Sequence, residues 1–394
     1  MASTSDQPQD DLSKKGLGRR DFLQRGFATA GVFAAGGIIA ACGGDSKEAA
    51  ATSGGAAATT GGETKELKAA FAYNSPATDG GWSTRMDVAR KELEKAVPGV
   101  KTTFVESVPF SEEASQTFER LVADGNKWIF VGTAYGDFLS KVAAAHPDVM
   151  FTEVGGTTFT SNQWGVYPDQ WHPCYILGVV AGLLTKSNKL GYIASFPVPS
   201  VKSTTSALLL GARSVNPKAM VQAVAINSWF DPQAARQAAS ALIDGGADFT
   251  IGIMDEPAYL QVSEKRGVWT AGWNSDMSKF APEKYVASVV FDWSPYFNET
   301  AKAMVDGTFK VPASIIIPAM PDAVSTGPWG PNVPDDVIKR ADEVRDKIIN
   351  DGLNPFTGPL RDVAGKTQLN AGESLTQDQV YGLSWVVEGV KGIK

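Results

Sequence analysis

From Leu67 onward, short apolar runs alternate with stretches whose apolar residues recur at helical spacing. "LKAAFAY" precedes a helical pattern over Trp82–Val97, in which Met86, Val88, Ala89, Leu93 and Val97 form the apolar set. "KTTFVES" precedes "SEEASQTFERLVADG", where Ser111 and Glu112 suit a helix start and Gly125 its stop. "KWIFVGT" leads to "AYGDFLSKVAAAHP", and "DVMFTEVGG" closes the first series. The series then restarts about 122 residues after its first strand, with "KLGYIASF", and runs through "MVQAVAI", "DFTIGIM", "VWTAGW" and "EKYVASVVFDW", with helical patterns between. Apolar, β-rich strands alternating with helices predict an α/β protein whose parallel sheets are covered on both faces. The repetition predicts two similar doubly wound lobes facing across a cleft.

In open α/β sheets ligands sit beyond the carboxyl ends of the strands. The positions after each predicted strand are rich in aromatics and short polar side chains: Trp82, Tyr135, Phe196, Trp229, Phe230 and Trp273, with Asn74, Asp79, Asn227, Asp231, Asp255, Asn274 and Asp276. An aromatic at a strand end is often core filler; several on one edge suit a flat, partly apolar, hydrogen-bonding ligand. Asp231, followed by Pro232, reads as a helix N-cap. Asp79 caps or shapes its turn. Asp255 reads equally as an N-cap or as a carboxylate aimed into the cleft. Gly80-Gly81 lets the backbone pass close to a ligand while Trp82 projects over it.

Catalysis finds little support. There is no GxSxG, HExxH, GxxxxGK[ST] or GxGxxG with a downstream acid, and no nucleophile with a partner base. His146 reads as a helix end, His172 as a helix start and Cys174 as a small buried hydrophobe. The expectation is a non-enzyme with no cofactor and no metal site. The 394-residue chain is 43% hydrophobic and 20% charged, with a net charge of −7 that argues against nucleic acid as a partner.

The first 42 residues read as targeting sequence. A basic segment precedes a 16-residue, mostly apolar run from Gly26 to Ala41, shorter than a membrane span of ~20 residues and suited to an export signal. Arg19-Arg20 with Phe22-Leu23 resembles a twin-arginine signal, although Gly18 and Gln24 leave a general secretory route open. "IAAC" resembles a lipobox, which makes residues 1–41 a signal peptide and Cys42 the lipid-bearing residue. Residues 42–66 form the lipidated N-terminus and a Gly/Ala/Ser/Thr linker with a reach of roughly 25–30 Å. The expected product is exported and lipid-anchored to the outer, or periplasmic, face of a cell membrane. The lobes are expected at 67–187, completed by about 292–320, and 188–291, completed by about 321–394.

The lipobox, "AYNSPATDGGWSTRMDVARKEL", "AGLLTKSNKLGYIASFPVP", "ALLLGARSVNPKA", "NSWFDPQAARQAASALIDGGAD", "GWNSDMSKFAP" and the closing "VEGV" together resemble the basic membrane protein (PnrA-like) family over Leu67 to Lys394. The resemblance implies a type I periplasmic-binding-protein fold, two lobes joined by a hinge. It also implies a substrate-binding lipoprotein that delivers purine bases or nucleosides to an ABC permease and its ATPase. By similarity Trp82 stacks on the base from lobe one, Trp229 answers from lobe two, Asp255 accepts hydrogen bonds from the ring or amine, and Tyr135 forms a further wall. Asn74 and Asp276 complete the expected set. Nucleoside-binding members commonly hold the ribose with an aspartate and a lysine late in lobe two. Asn274 and Phe291 stand there in this chain, which tilts the expectation towards a free base such as adenine. A ligand-sensing receptor for a signalling partner and a sugar-binding protein share the fold and remain alternatives.

Overall fold

A computed structural model describes residues 66–320 and 323–393. Cys42, the expected lipid site, and Arg19 and Arg20, the expected signal residues, lie outside the described residues.

The first sheet is built from β1 (Leu67–Ala72), β2 (Val100–Val105), β3 (Trp128–Val131), β4 (Met150–Val154) and β5 (Gln163–Val166), separated by α1 (Trp82–Ala96), α2 (Glu112–Ala123) and α3 (Asp137–Ala145). Its strands are all parallel, in the order β2-β1-β3-β4-β5. The central strands β1 and β3 are buried on both faces, as their unbroken apolar runs require, whereas edge strand β2 alternates towards solvent.

The chain then forms α4 (Trp171–Leu184), β6 (Lys189–Ala194), α5 (Pro199–Val215), β7 (Met220–Ala225), α6 (Pro232–Asp244), β8 (Phe249–Gly252), α7 (Ala258–Arg266), β9 (Trp269–Asn274) and β10 (Tyr285–Phe291). After them come α8 (Ser294–Val305), β11 (Val324–Thr326), α9 (Asp335–Asp351), β12 (Leu360–Arg361), β13 (Thr367–Leu369), α10 (Gln377–Tyr381) and β14 (Val390–Lys391). The second sheet runs β11-β10-β9-β8-β6-β7-β14, with only β11 antiparallel to its neighbour. Its inner five strands repeat the order of the first sheet, so the repetition in sequence is a repetition of topology. In each sheet the strand order reverses at one place, between β1 and β3 and between β6 and β8, and this is where a doubly wound sheet opens a ligand crevice.

The chain crosses between the sheets three times: after β5, between β10 and α8, and between Ile316, which bridges to Val166 of β5, and β11. Helix α8 packs on α1 and β1. Helix α4 packs on α5 and α9, with the second sheet, so packing draws the lobe boundary before α4 and not at residue 187. The reason lies in its glycines. A Cβ at Gly178 would lie 2.1 Å from the Leu208 carbonyl oxygen, and one at Gly211 of α5 would lie 2.0 Å from that of Tyr175. Only glycine allows two helix backbones this close.

Local signals mostly act where the sequence puts them. Ser111 is the N-cap residue of α2, although its side chain makes no capping bond, and Gly125 follows the helix at φ +84°. Val88 departs from the expected apolar set of α1: it is 43% exposed, on the opposite side from Met86, Ala89 and Leu93.

Candidate functional site

The turn between β1 and α1 is organised by Asp79. Its carboxylate accepts hydrogen bonds from the backbone N–H of Gly81 (2.8 Å), Ser83 (3.1 Å) and Thr84 (3.1 Å) and from the hydroxyls of Thr84 (2.9 Å) and Ser75 (2.6 Å). These are orphan amides of the first helical turn, so Asp79 caps α1 from outside it, and Gly80 bends the chain at φ +78°. The turn presents Trp82 at the head of α1. Its indole N–H donates to the Gly132 carbonyl beyond β3 (2.7 Å), and its ring meets Phe291 and Trp293 edge-to-face at 5.3 and 5.9 Å. Trp82 is half-buried, one side fixed against the crossing from β10 to α8.

Lobe two meets this turn with Asp255 and Asn274. A Cβ at Gly81 would lie 2.9 Å from both Asn274 Nδ2 and Asp255 Oδ1, so the glycine is what lets the two lobes touch here. Asn274 Nδ2 donates to Asp255 Oδ1 at 2.5 Å, and the Trp82 backbone N–H donates towards the same carboxylate. The Asp255 N–H donates to the Trp229 carbonyl (3.0 Å), and the Ser275 hydroxyl reaches the Gly80 carbonyl (3.3 Å). Asp255 therefore ties both tryptophan segments together and does not cap α7, where the Ala258 N–H donates to Glu256 Oε2 at 2.6 Å. Burial pushes the Asp255 carboxyl up to about 7, with the nearby Asp79 adding to the rise, against the lowering effect of the Asn274 amide.

Several buried polar atoms at these strand ends have no partner. They are Asn74 Oδ1 after β1, Ser195 Oγ after β6, Glu256 Oε1 after β8 and Asn274 Oδ1 at the end of β9. Such atoms are costly to leave unpaired, and three of the four accept hydrogen bonds without donating any. A ligand that brings N–H or O–H donors would satisfy them. Trp229 remains 39% exposed, with the Phe196 ring beside it at 5.7 Å.

Two expected residues are not brought to this group. Tyr135 is 4% exposed in the second core of lobe one, stacked on Phe110 at 4.7 Å, with its hydroxyl donating to the Val108 carbonyl. Gly136, at φ +56°, turns the chain there, and the Glu153 carboxylate holds the Tyr135 and Gly136 amides at 2.5 and 2.9 Å. Asp276 is exposed and accepts from the Ser278 N–H (2.9 Å), closing a local turn. Asp231 caps α6 through the Gln233 and Ala234 amides. His146 ends α3 and pairs with Glu119 at 2.7 Å, while His172, in the first turn of α4, pairs with Asp169. Cys174 is buried, and burial raises its thiol pKa. Among the described residues no cluster of His, Cys, Asp or Glu is placed to hold a metal ion.

The expected set also omitted the rings beneath Trp82. Phe291 entered only as the place of a missing lysine and Trp293 not at all, yet both are essentially fully buried and form its support. The available signal was the apolar strand "ASVVFDW" ending in aromatics at a predicted strand tip.

Two α/β lobes of one repeated strand order, crossed three times by the chain and in contact at the Gly81 turn, define the architecture, and solved structures share that fold. An ABC transporter solute-binding protein from Conexibacter woesei superposes with a TM-score of 0.62 at 21% identity, covering 73% of this chain and 98% of that one. A solute-binding protein from Aeropyrum pernix gives 0.61 at 13% identity, covering 77% and 94%. The fold is that of the type I periplasmic binding proteins. The family model for PnrA-like ABC transporter substrate-binding proteins matches residues 66–354, and the chain belongs to that family. It is 39% identical over 328 residues to a purine-binding protein of Brucella abortus, covering 83% of this chain and 93% of the relative. It is 33% identical over 337 residues to a Haloferax volcanii protein named for glucose binding by an ABC transporter, covering 84% and 82%. The protein is thus a ligand carrier for an ABC transporter, with a small-molecule ligand and a permease as partners. It acts outside the cytoplasm, and it is not an enzyme.

Proposed function

We propose that the protein captures a purine base, adenine-like in its hydrogen-bonding edge, and hands it unchanged to its permease. The base stacks on Trp82 of lobe one and is covered by Trp229 of lobe two. Its N–H groups meet Asp255, with Asn274 and Asn74 as further acceptors. The observation that carries this reading is the set of unpaired buried acceptors at the strand tips beside a held indole, which calls for a flat ligand rich in donors. The purine-binding relative at 39% identity supports the same ligand class. Phe291, buried against Trp82, leaves an apolar ring where a lysine would serve a ribose, so a free base suits the site better than a nucleoside. Hinge closure over the base is the motion this fold provides. We also propose that Cys42 carries a lipid after removal of residues 1–41 and that residues 42–66 tether the body outside the membrane.

The glucose-binding relative supplies the rival ligand, since sugars also stack on aromatics. Native mass spectrometry of protein purified without refolding tests the reading. A retained mass equal to a purine base supports it; a retained hexose overturns it. Mass spectrometry of the membrane-associated protein, showing a diacyl modification at Cys42 or an unmodified thiol there, decides the anchor.

A further inference from the structure

The contact between the lobes is made at the glycine turn, and two carboxylates meet across it. Asp79 lies behind the turn, accepting the Gly81 N–H at 2.8 Å, and Asp255 lies in front, close enough that a Cβ on Gly81 would come within 2.9 Å of its Oδ1. Every hydrogen bond of Asp79 goes to its own turn and the head of α1. Among the described residues, the largest influences on Asp255 besides burial come from acids and amides and from no basic side chain. The charged groups facing it are Asp79 from the α1 turn and Glu256 from its own loop, while β9 contributes the neutral Asn274 amide and α1 the Trp82 N–H. Asp231 and Arg236, from the α6 side, act on Glu256.

We propose that Asp79 is the positioning residue of the cleft: it fixes the Gly80–Trp82 turn and sets a second carboxylate beside Asp255, so that the empty cleft closes most readily with a proton on Asp255. The final clause of this inference, that a bound ligand's N–H takes the place of that proton, rests on the base-binding reading above; the coupling of closure to protonation does not. Opening the lobes would expose Asp255 to water and withdraw Asp79, returning the Asp255 carboxyl towards the ordinary carboxylate range. Closing without ligand buries it and raises it to about 7. A group whose pKa is higher in the closed state favours that state at low pH. Closure therefore takes up a proton between the ordinary carboxylate range and about 7, weakens as pH rises through that window, and is flat above it. With a donor N–H from the ligand on Asp255, the closed state no longer needs the proton. The cleft then distinguishes filled from empty best at and above neutral pH.

The test is a pH titration of the full, ligand-free chain, following the carboxyl carbon of Asp255 by NMR, assigned by its loss in Asp255→Asn. Small-angle scattering at pH 5 and pH 8 reads lobe opening alongside. The expected result is an Asp255 midpoint raised above the ordinary carboxylate range towards 7, and a larger radius of gyration at pH 8. In Asp79→Asn the midpoint should fall by roughly one pH unit, the size of a single close-charge effect. Thr84→Val, which keeps the Asp79 charge but removes one hydrogen bond of the turn, should leave the midpoint in place. An Asp255 midpoint in the ordinary carboxylate range overturns the proposal from the wild-type protein alone, even if Asp79→Asn does not fold. So does an unmoved midpoint in Asp79→Asn, or an equal shift in Thr84→Val, which would make geometry and not charge the cause. Failure of purines to bind would defeat the functional reading and leave these titrations untouched.

Discussion

The two lobes share a strand order and use their strand tips differently. Lobe one offers a ring that the fold has already fixed: Trp82 is held by the Gly132 carbonyl, by Phe291 and Trp293 beneath it, and by a turn that Asp79 binds five times. Lobe two offers a less confined ring, Trp229 beside Phe196, together with the part-buried Asp255–Asn274 pair. A rigid platform costs little ordering entropy when a flat ligand lands on it, whereas a loosely held ring can adjust as the cleft closes. The difference teaches that one repeated strand order carries unlike tips, a tightly held ring in lobe one and a polar pair beside a loosely held ring in lobe two.

That contrast can be broken by substitution. Asp255→Ala should cause the largest change, a loss of about 2–5 kcal/mol in ligand binding by calorimetry, because it leaves the Asn274 amide and the Trp82 N–H without their acceptor. Wild-type affinity in this variant would remove lobe two from polar recognition. Trp82→Ala should weaken binding by about 1–3 kcal/mol. It should also lower unfolding stability by about 3 kcal/mol in denaturant titration, since the ring is part of the packing. Trp229→Ala should lose about 1 kcal/mol of binding and cost less stability than Trp82→Ala, about 1 kcal/mol, as the residue is 39% exposed. Equal stability losses in the two tryptophan variants would contradict the platform-and-lid distinction. Tyr135→Phe should cost about 1 kcal/mol of stability through its lost bond to the Val108 carbonyl and leave binding unchanged.

Much of the architecture was legible because its signal is local. Buried parallel strands write themselves as apolar runs, and the second series repeats the first closely enough to give the duplicated order. Asp231 with Pro232 announced the cap of α6, and the paired glycines before Trp82 announced a close approach. What escaped depends on tertiary direction. Tyr135 follows a strand just as Trp82 follows a turn, but the positive φ of Gly136 and the pull of Glu153 on the local amides turn it towards α2. Asp276 had a nearer donor, the Ser278 amide, and short Asp side chains take such local bonds readily. Helix α4 is apolar around most of its circumference, so its pattern does not say which sheet it covers; the glycine contacts with α5 do. The edge strands β11 and β14, of three and two residues, carry too little periodicity to be read alone.

The measurement that bears most directly on the central claim is calorimetric titration of ligand-free protein with adenine, guanine, the matching nucleosides and glucose under one set of conditions. The account predicts saturable binding of a free purine base, tighter than its nucleoside, with no heat from glucose. Saturable binding of glucose with none from any base would contradict it.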